Sequence, residues 1–132
     1  MKYILFVCTE NSARSQMAEG FFNFYNKNPE YLGVSAGLEP AKSVKPLAIL
    51  VMKEKGIDIT RQTPKALTLD MLQKAEKIFT MGCIDKCPAA PPEKTVDWKL
   101  EDPAGKGIEK FREVRDEIER RIKKLVLSLD EV

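Results

Sequence analysis

The sequence predicts an α/β fold: a four-stranded parallel sheet flanked by helices on both faces, three layers in all. Three observations carry that expectation. Short apolar runs alternate along the chain with segments whose apolar residues recur every three or four positions. Strands alternating with helices favour parallel pairing through right-handed crossovers, with both sheet faces covered. Finally, 132 residues at 43% apolar content suffice for one core and not for two, so residues 1–132 are expected to form one domain.

The first strand is the run Tyr3-Ile4-Leu5-Phe6-Val7, which stops at Cys8. A loop of small polar residues follows, and from Ala13 the spacing of Gln16, Met17, Ala18, Phe21, Phe22 and Tyr25 is helical. Asn26-Lys27-Asn28-Pro29 ends that helix, and residues 31–37 read as a second strand, weakened by Gly33 and Gly37. A loop with Pro40 and Pro46 nearby leads into a helix with Leu47, Ala48, Leu50, Val51 and Met52 on its apolar face, ended by Gly56. Ile57-Asp58-Ile59 is a short extended link. Thr68 is a candidate N-cap for a short helix over 68–74, with Asp70 in its first turn. Ile78-Phe79-Thr80-Met81 is the third strand, 82–93 is Cys/Pro-rich and irregular, and Thr95-Val96-Asp97-Trp98 is a fourth, edge strand. The last helix carries the stripe Ile108, Phe111, Val114, Ile118, Ile122, Leu125 and Leu129. Its wet face offers the acid-before-base pairs Asp116/Arg120, Glu117/Arg121 and Glu119/Lys123.

Composition narrows the function. With 22 basic and 20 acidic residues the net charge is +2, which points to neither nucleic acid nor an anionic membrane as partner. The apolar run after Lys2 is shorter than the roughly 7–15 residues of a signal-peptide core. A cytoplasmic location is therefore expected, where a disulfide is more often transient and catalytic than structural. Three cysteines, an odd number, argue the same way. The sequence has no histidine, so Ser-His-Asp and Cys-His catalysis and HExxH metal sites are excluded.

In parallel sheets ligands sit beyond the carboxyl ends of the strands. Cys8 follows one predicted strand there and Cys83 another, which brings two distant thiols to one rim. In the stretch CTENSARS, Cys8 stands at the strand end and Arg14 at the helix start. The unpaired N–H groups of a first helical turn would converge between them on a tetrahedral oxyanion. A thiolate is the nucleophilic form of cysteine, and those donors with the Ser15 hydroxyl would favour it. Arg14 supplies a planar fork for two oxygens. Asn11 tolerates a left-handed backbone and can shape the loop. Asp102, before Pro103, is either a proton donor for the chemistry or a turn residue. Cys83 and Cys87 lack partners for a zinc site and sit in a polar, proline-rich segment; they read as an exchanging dithiol.

Together CTENSARSQMAEG, TMGCIDKCP and DWKLEDPAGK resemble one family, the thioredoxin-coupled arsenate reductases. Their fold is that of the low-molecular-weight protein tyrosine phosphatases. The resemblance runs from Met1 into the last helix. It implies that Cys8 attacks arsenate, that Thr9, Glu10, Asn11, Ser12, Ala13 and Arg14 hold the oxyanion, that Ser15 stabilises the thiolate and that Asp102 is the general acid. It further implies a relay in which Cys83 attacks Cys8 and Cys87 then attacks Cys83, leaving a disulfide for thioredoxin or a glutaredoxin-like reductant. Some members hold potassium through Asn, Glu, Ser and Asp; Asn11, Glu19 and Ser35 match that set, but Lys65 replaces the acid. No cofactor or metal is expected, and the protein is expected to act as a monomer.

Two other readings compete. One is a phosphomonoesterase acting on phosphotyrosine, with the extra thiols guarding Cys8 against overoxidation. It lacks an aromatic residue beside the acid, since Asp102-Pro103-Ala104 supplies none. The other is a redox or oxyanion sensor, for which no tail or further domain is evident.

Overall fold

The structure, a computed structural model, describes residues 1–82 and 90–129. Its elements in chain order are β1 (Lys2–Cys8), α1 (Arg14–Tyr25), β2 (Tyr31–Gly37), α2 (Pro46–Lys53), α3 (Leu69–Lys74), β3 (Ala75–Thr80), β4 (Thr95–Asp97) and α4 (Ile108–Leu129). The strands form one sheet in the order β2-β1-β3-β4, every neighbouring pair parallel. Cys83 and Cys87 lie outside the described residues.

Strand periodicity divides the core into two. Ile4, Phe6 and Cys8 face one side of β1, where they pack with Met17, Phe21 and Phe22 of α1, Val51 and Met52 of α2 and the α4 stripe. Leu5 and Val7 face the other side with Ile78, Ala36 and Leu72 of α3. Phe6, Phe79 and Trp98 join the sheet to the larger layer, with the Phe79 and Trp98 rings 4.7 Å apart between centroids. Trp98 lies just past β4 and is buried.

The helix boundaries follow local chemistry. Pro46 opens α2, where a missing N–H costs no helical bond, and Gly56, at φ +76°, turns the chain after it. The Thr68 hydroxyl accepts a 3.1 Å hydrogen bond from the Met71 amide, capping α3. No helix among the described residues is long and apolar enough to cross a membrane.

Four sequence expectations need correction. Leu50 is exposed, because Ala48, Val51 and Met52 take the buried face of α2. The third strand is Ala75–Thr80, starting earlier than expected, since Ala75 pairs with Tyr3 and the register then skips Glu76, so that Ile4 faces Lys77. The edge strand stops at Asp97. Of the three expected α4 ion pairs only Glu117–Arg121 forms, at 2.7 Å. Glu119 turns instead to Lys55, a charge from outside the helix, at 3.2 Å, and Asp116 to its neighbour Arg115 at 2.8 Å, with Lys55 at 3.7 Å.

Candidate active site

Cys8 ends β1 directly opposite Gly37, at the carboxyl rim of the sheet. The loop from Thr9 to Ala13 passes so close to Gly37 that a Cβ there would meet the Asn11 amide nitrogen and the Thr9 carbonyl at 2.8 Å. A side chain at this position would displace the loop.

The loop's carbonyls are all held on its outer side. Those of Thr9, Glu10 and Ser12 accept from the amides of Glu39, Ala41 and Lys45. The Asn11 carbonyl accepts from Gln16 Nε2 at 2.9 Å, and that of Ala13 from the Met17 amide. A trans peptide sets each C=O opposite the following N–H, so the amides of residues 10–14 turn inward. Ala13 offers no side-chain cap to α1, and no acidic residue occupies its first turn, which leaves the helix N-terminus for an anion.

Inside this curve is a cavity of about 210 Å³ lined by Cys8, Thr9, Glu10, Ser12, Ala13, Arg14, Lys45 and Asp102. Cys8 is buried at its floor, with Sγ 2.8 Å from Ser15 Oγ. Asn11 Nδ2 donates to the same oxygen at 2.7 Å, so the Ser15 hydroxyl is free to donate its own proton to sulfur. Asn11 adopts φ +50°, a region in which Asn is among the few tolerated residues.

Arg14, 8% exposed, donates from Nη1 to the carbonyls of Met81 and, at 3.0 Å, Leu100. Its Nη2 lies 3.8 Å from Asp102 Oδ2. Asp102 also accepts from the Ala104 amide at 3.0 Å, so it lines the cup and turns the chain at once. Gly82, to which Cys83 is joined, stands against this arginine: at φ +99°, its Cβ position would be 3.4 Å from Nη1.

Sequence reasoning missed Lys45 and Asp97. Lys45 Nζ is 3.9 Å from Glu10 at the cavity mouth and adds a second cation. Nothing in its spacing announces this, because the loop that carries it reaches the cup through tertiary bonds. Asp97 accepts from residues on two separate segments beside Arg14.

The residues matching a potassium set do not fit a bound cation here. Ser35 Oγ donates to Glu19 Oε1 at 2.7 Å, and the Lys65 ammonium lies 3.8 Å from the same oxygen. Asn11 Oδ1 accepts from the Lys65 amide at 2.9 Å. The carboxylate is thus balanced by a tethered ammonium. Among the described residues no cluster of three or more His, Cys, Asp or Glu could hold a metal.

A buried thiol, inward amides, a guanidinium and a nearby carboxyl form a cup that can hold a tetrahedral oxyanion against a sulfur nucleophile. Comparison with known proteins agrees with this chemistry. The family model for low molecular weight phosphotyrosine protein phosphatase matches residues 3–132. Arsenate reductase 1 of Bacillus cereus (strain ATCC 10987 / NRS 248) is 47% identical over 131 residues, covering 93% of this chain and 92% of that protein. A solved arsenate reductase in the phosphate binding state superposes with a TM-score of 0.83 at 37% identity, covering 97% of this chain and 98% of that one. The YwlE arginine phosphatase from Geobacillus stearothermophilus gives a TM-score of 0.86 at 30% identity over 98% of this chain and 94% of that one.

Proposed function

This chain belongs to the low molecular weight phosphotyrosine protein phosphatase family, and we propose that within it the protein reduces arsenate to arsenite by thiol chemistry. The observation that carries this reading is the 47% identity to the Bacillus cereus arsenate reductase, spread over 93% of this chain. Chemistry supports it. Hydrolysis of a phosphate ester needs one thiol, whereas arsenate must gain two electrons, and this chain has two further cysteines.

Arsenate enters the cup with its oxygens on the amides of residues 9–14 and on Arg14. The Cys8 thiolate, hydrogen-bonded by Ser15, attacks arsenic, and an arsenate oxygen leaves as water with a proton from Asp102. The Cys83 thiolate then attacks Cys8 Sγ. A sulfur–sulfur bond forms as the sulfur–arsenic bond breaks, its electron pair stays on arsenic, and arsenite departs. Cys87 attacks Cys83, which frees Cys8 and moves the disulfide to Cys83–Cys87. A dithiol protein of the thioredoxin or glutaredoxin class takes up that disulfide. The chain acts as a single catalytic domain and a monomer, in the cytoplasm.

Two features support this proposal over ester hydrolysis. No aromatic side chain lines the cavity among the described residues, so an aryl ester would find no stacking partner. Gly82 also brings the chain against Arg14, which lines the cup, one residue before Cys83.

The test separates the two activities. Cys83→Ser and Cys87→Ser should each abolish arsenate turnover while hydrolysis of a small aryl phosphate continues near the parent rate. Arsenate reduction by Cys83→Ser at the parent rate would contradict the relay. Cys8→Ser should lose both activities.

A further inference from the structure

Asp97, the last residue of β4, does not line the cup, yet a single oxygen of its carboxylate gathers three donors. Oδ1 accepts from the Gly82 amide at 2.8 Å, Thr80 Oγ1 at 3.0 Å and the Lys99 amide at 3.2 Å. Thr80 ends β3 and Gly82 belongs to the chain leaving it, while Lys99 belongs to the chain leaving β4. The carbonyls of Met81, lying between the first two donors, and of Leu100, following the third, both accept from Arg14 Nη1.

The backbone on either side is held in an unusual shape. Gly82 has φ +99° and Lys99 φ +52°, the latter a left-handed conformation that a lysine rarely adopts without an anchor. At Gly82 a Cβ would meet the Leu100 carbonyl at 3.1 Å, so the two segments are already in close approach.

We propose that Asp97 is a positioning residue for Arg14 and, through it, for the oxyanion; this rests on the proposed function only in taking the cup to bind a tetrahedral anion. Tying the two segments to one carboxylate oxygen sets the separation of the Met81 and Leu100 carbonyls. Those carbonyls hold Nη1 deep and leave Nη2 facing the cup, in a loose 3.8 Å pair with Asp102. Without the tie, the guanidinium is released to close on Asp102. The anion then loses its fork.

The experiment measures the dissociation constant of inorganic phosphate alongside arsenate KM and kcat, using the full chain with Asp97→Ala and Asp97→Asn. Losing bonds to a charged acceptor should weaken phosphate binding and raise arsenate KM about tenfold, with a smaller change in kcat. Asparagine keeps an acceptor oxygen for the same three donors and should restore phosphate affinity to within about threefold of the parent. A folded Asp97→Ala variant that binds phosphate as the parent does would overturn the proposal. So would an asparagine variant as weak as the alanine one. Should Asp97→Ala fail to fold, Thr80→Val decides: it removes one donor at constant shape and should weaken phosphate about two- to threefold. Unchanged phosphate affinity there would also overturn the proposal. Phosphate binding does not require reduction, so the outcome stands even if arsenate proves not to be the substrate.

Discussion

At the scale of the residue, Asn11 shows how much one side chain can connect. Its Nδ2 reaches the Ser15 hydroxyl and its Oδ1 the Lys65 amide, which ties the nucleophile's partner to a loop distant in sequence. Ser15→Ala removes the hydroxyl beside Cys8 and should slow arsenate turnover about ten- to a hundredfold, with phosphate affinity little changed. Steady-state kinetics with phosphate as competitive inhibitor reads both quantities. Turnover unaltered by the substitution would remove Ser15 from the chemistry. Because the Lys65 ammonium already faces Glu19, replacing sodium with potassium at fixed ionic strength should leave kcat/KM unchanged. A severalfold rise with potassium would mean that the ammonium does not do the cation's work. The placing of Cys8, Arg14 and Ser15 was legible in sequence because strand, loop and helix are contiguous there. Lys45 and Asp97 were not, because each acts on the site through a contact made only when separate segments meet.

At the scale of the element, α2 and α4 are joined by charge. Glu54, just past α2, takes a fork of bonds from Arg112, at 2.7 Å from Nη2, and one of 2.6 Å from Arg115. Arg115 is buried and also donates to the Val51 carbonyl at 3.1 Å. The Arg112 hydrogen bonds hold the Glu54 carboxyl down at about 2, against an ordinary value of 4.5. Burial raises the Glu119 carboxyl, but bonds from Tyr25 and Lys55 outweigh it and the net shift is downward. Depressed carboxylates contribute stability above their unfolded pKa and lose it as pH falls through the folded one. The melting temperature should therefore fall as pH drops from about 4.5 to about 2. Glu54→Gln should start lower and fall less over that window, by thermal unfolding followed with circular dichroism. A variant with the same acid slope as the parent would remove Glu54 from the effect. The apolar stripe of α4 was plain in the sequence, since helical period alone defines it. Its ion pairs were not: local spacing offered Arg120 and Lys123, while Lys55 on another segment took Glu119, and Asp116 paired with Arg115 and, more loosely, Lys55.

At the scale of the whole molecule, the strand order β2-β1-β3-β4 sets β1 inside the sheet, so its carboxyl end is walled by the segments leaving β2, β3 and β4. The loop after β2 holds the cup's carbonyls outward, and the segments after β3 and β4 hold Arg14. The alternation of strands and helices made this architecture legible before any coordinate, and parallel pairing then dictated which rim carries the site. What alternation does not encode is the register of the loops, and the Asp97 tie belongs to that level. If arsenate takes its two electrons from this chain's own thiols, a single turnover must consume them. Fully reduced protein is therefore mixed with arsenate, no reductant is added, and free thiols and arsenite are counted. Two thiols should be lost for each arsenite formed, with the bridge mapped to Cys83–Cys87. Thiols that stay intact while the same protein rapidly hydrolyses an aryl phosphate would contradict the relay and make the cup that of a phosphatase.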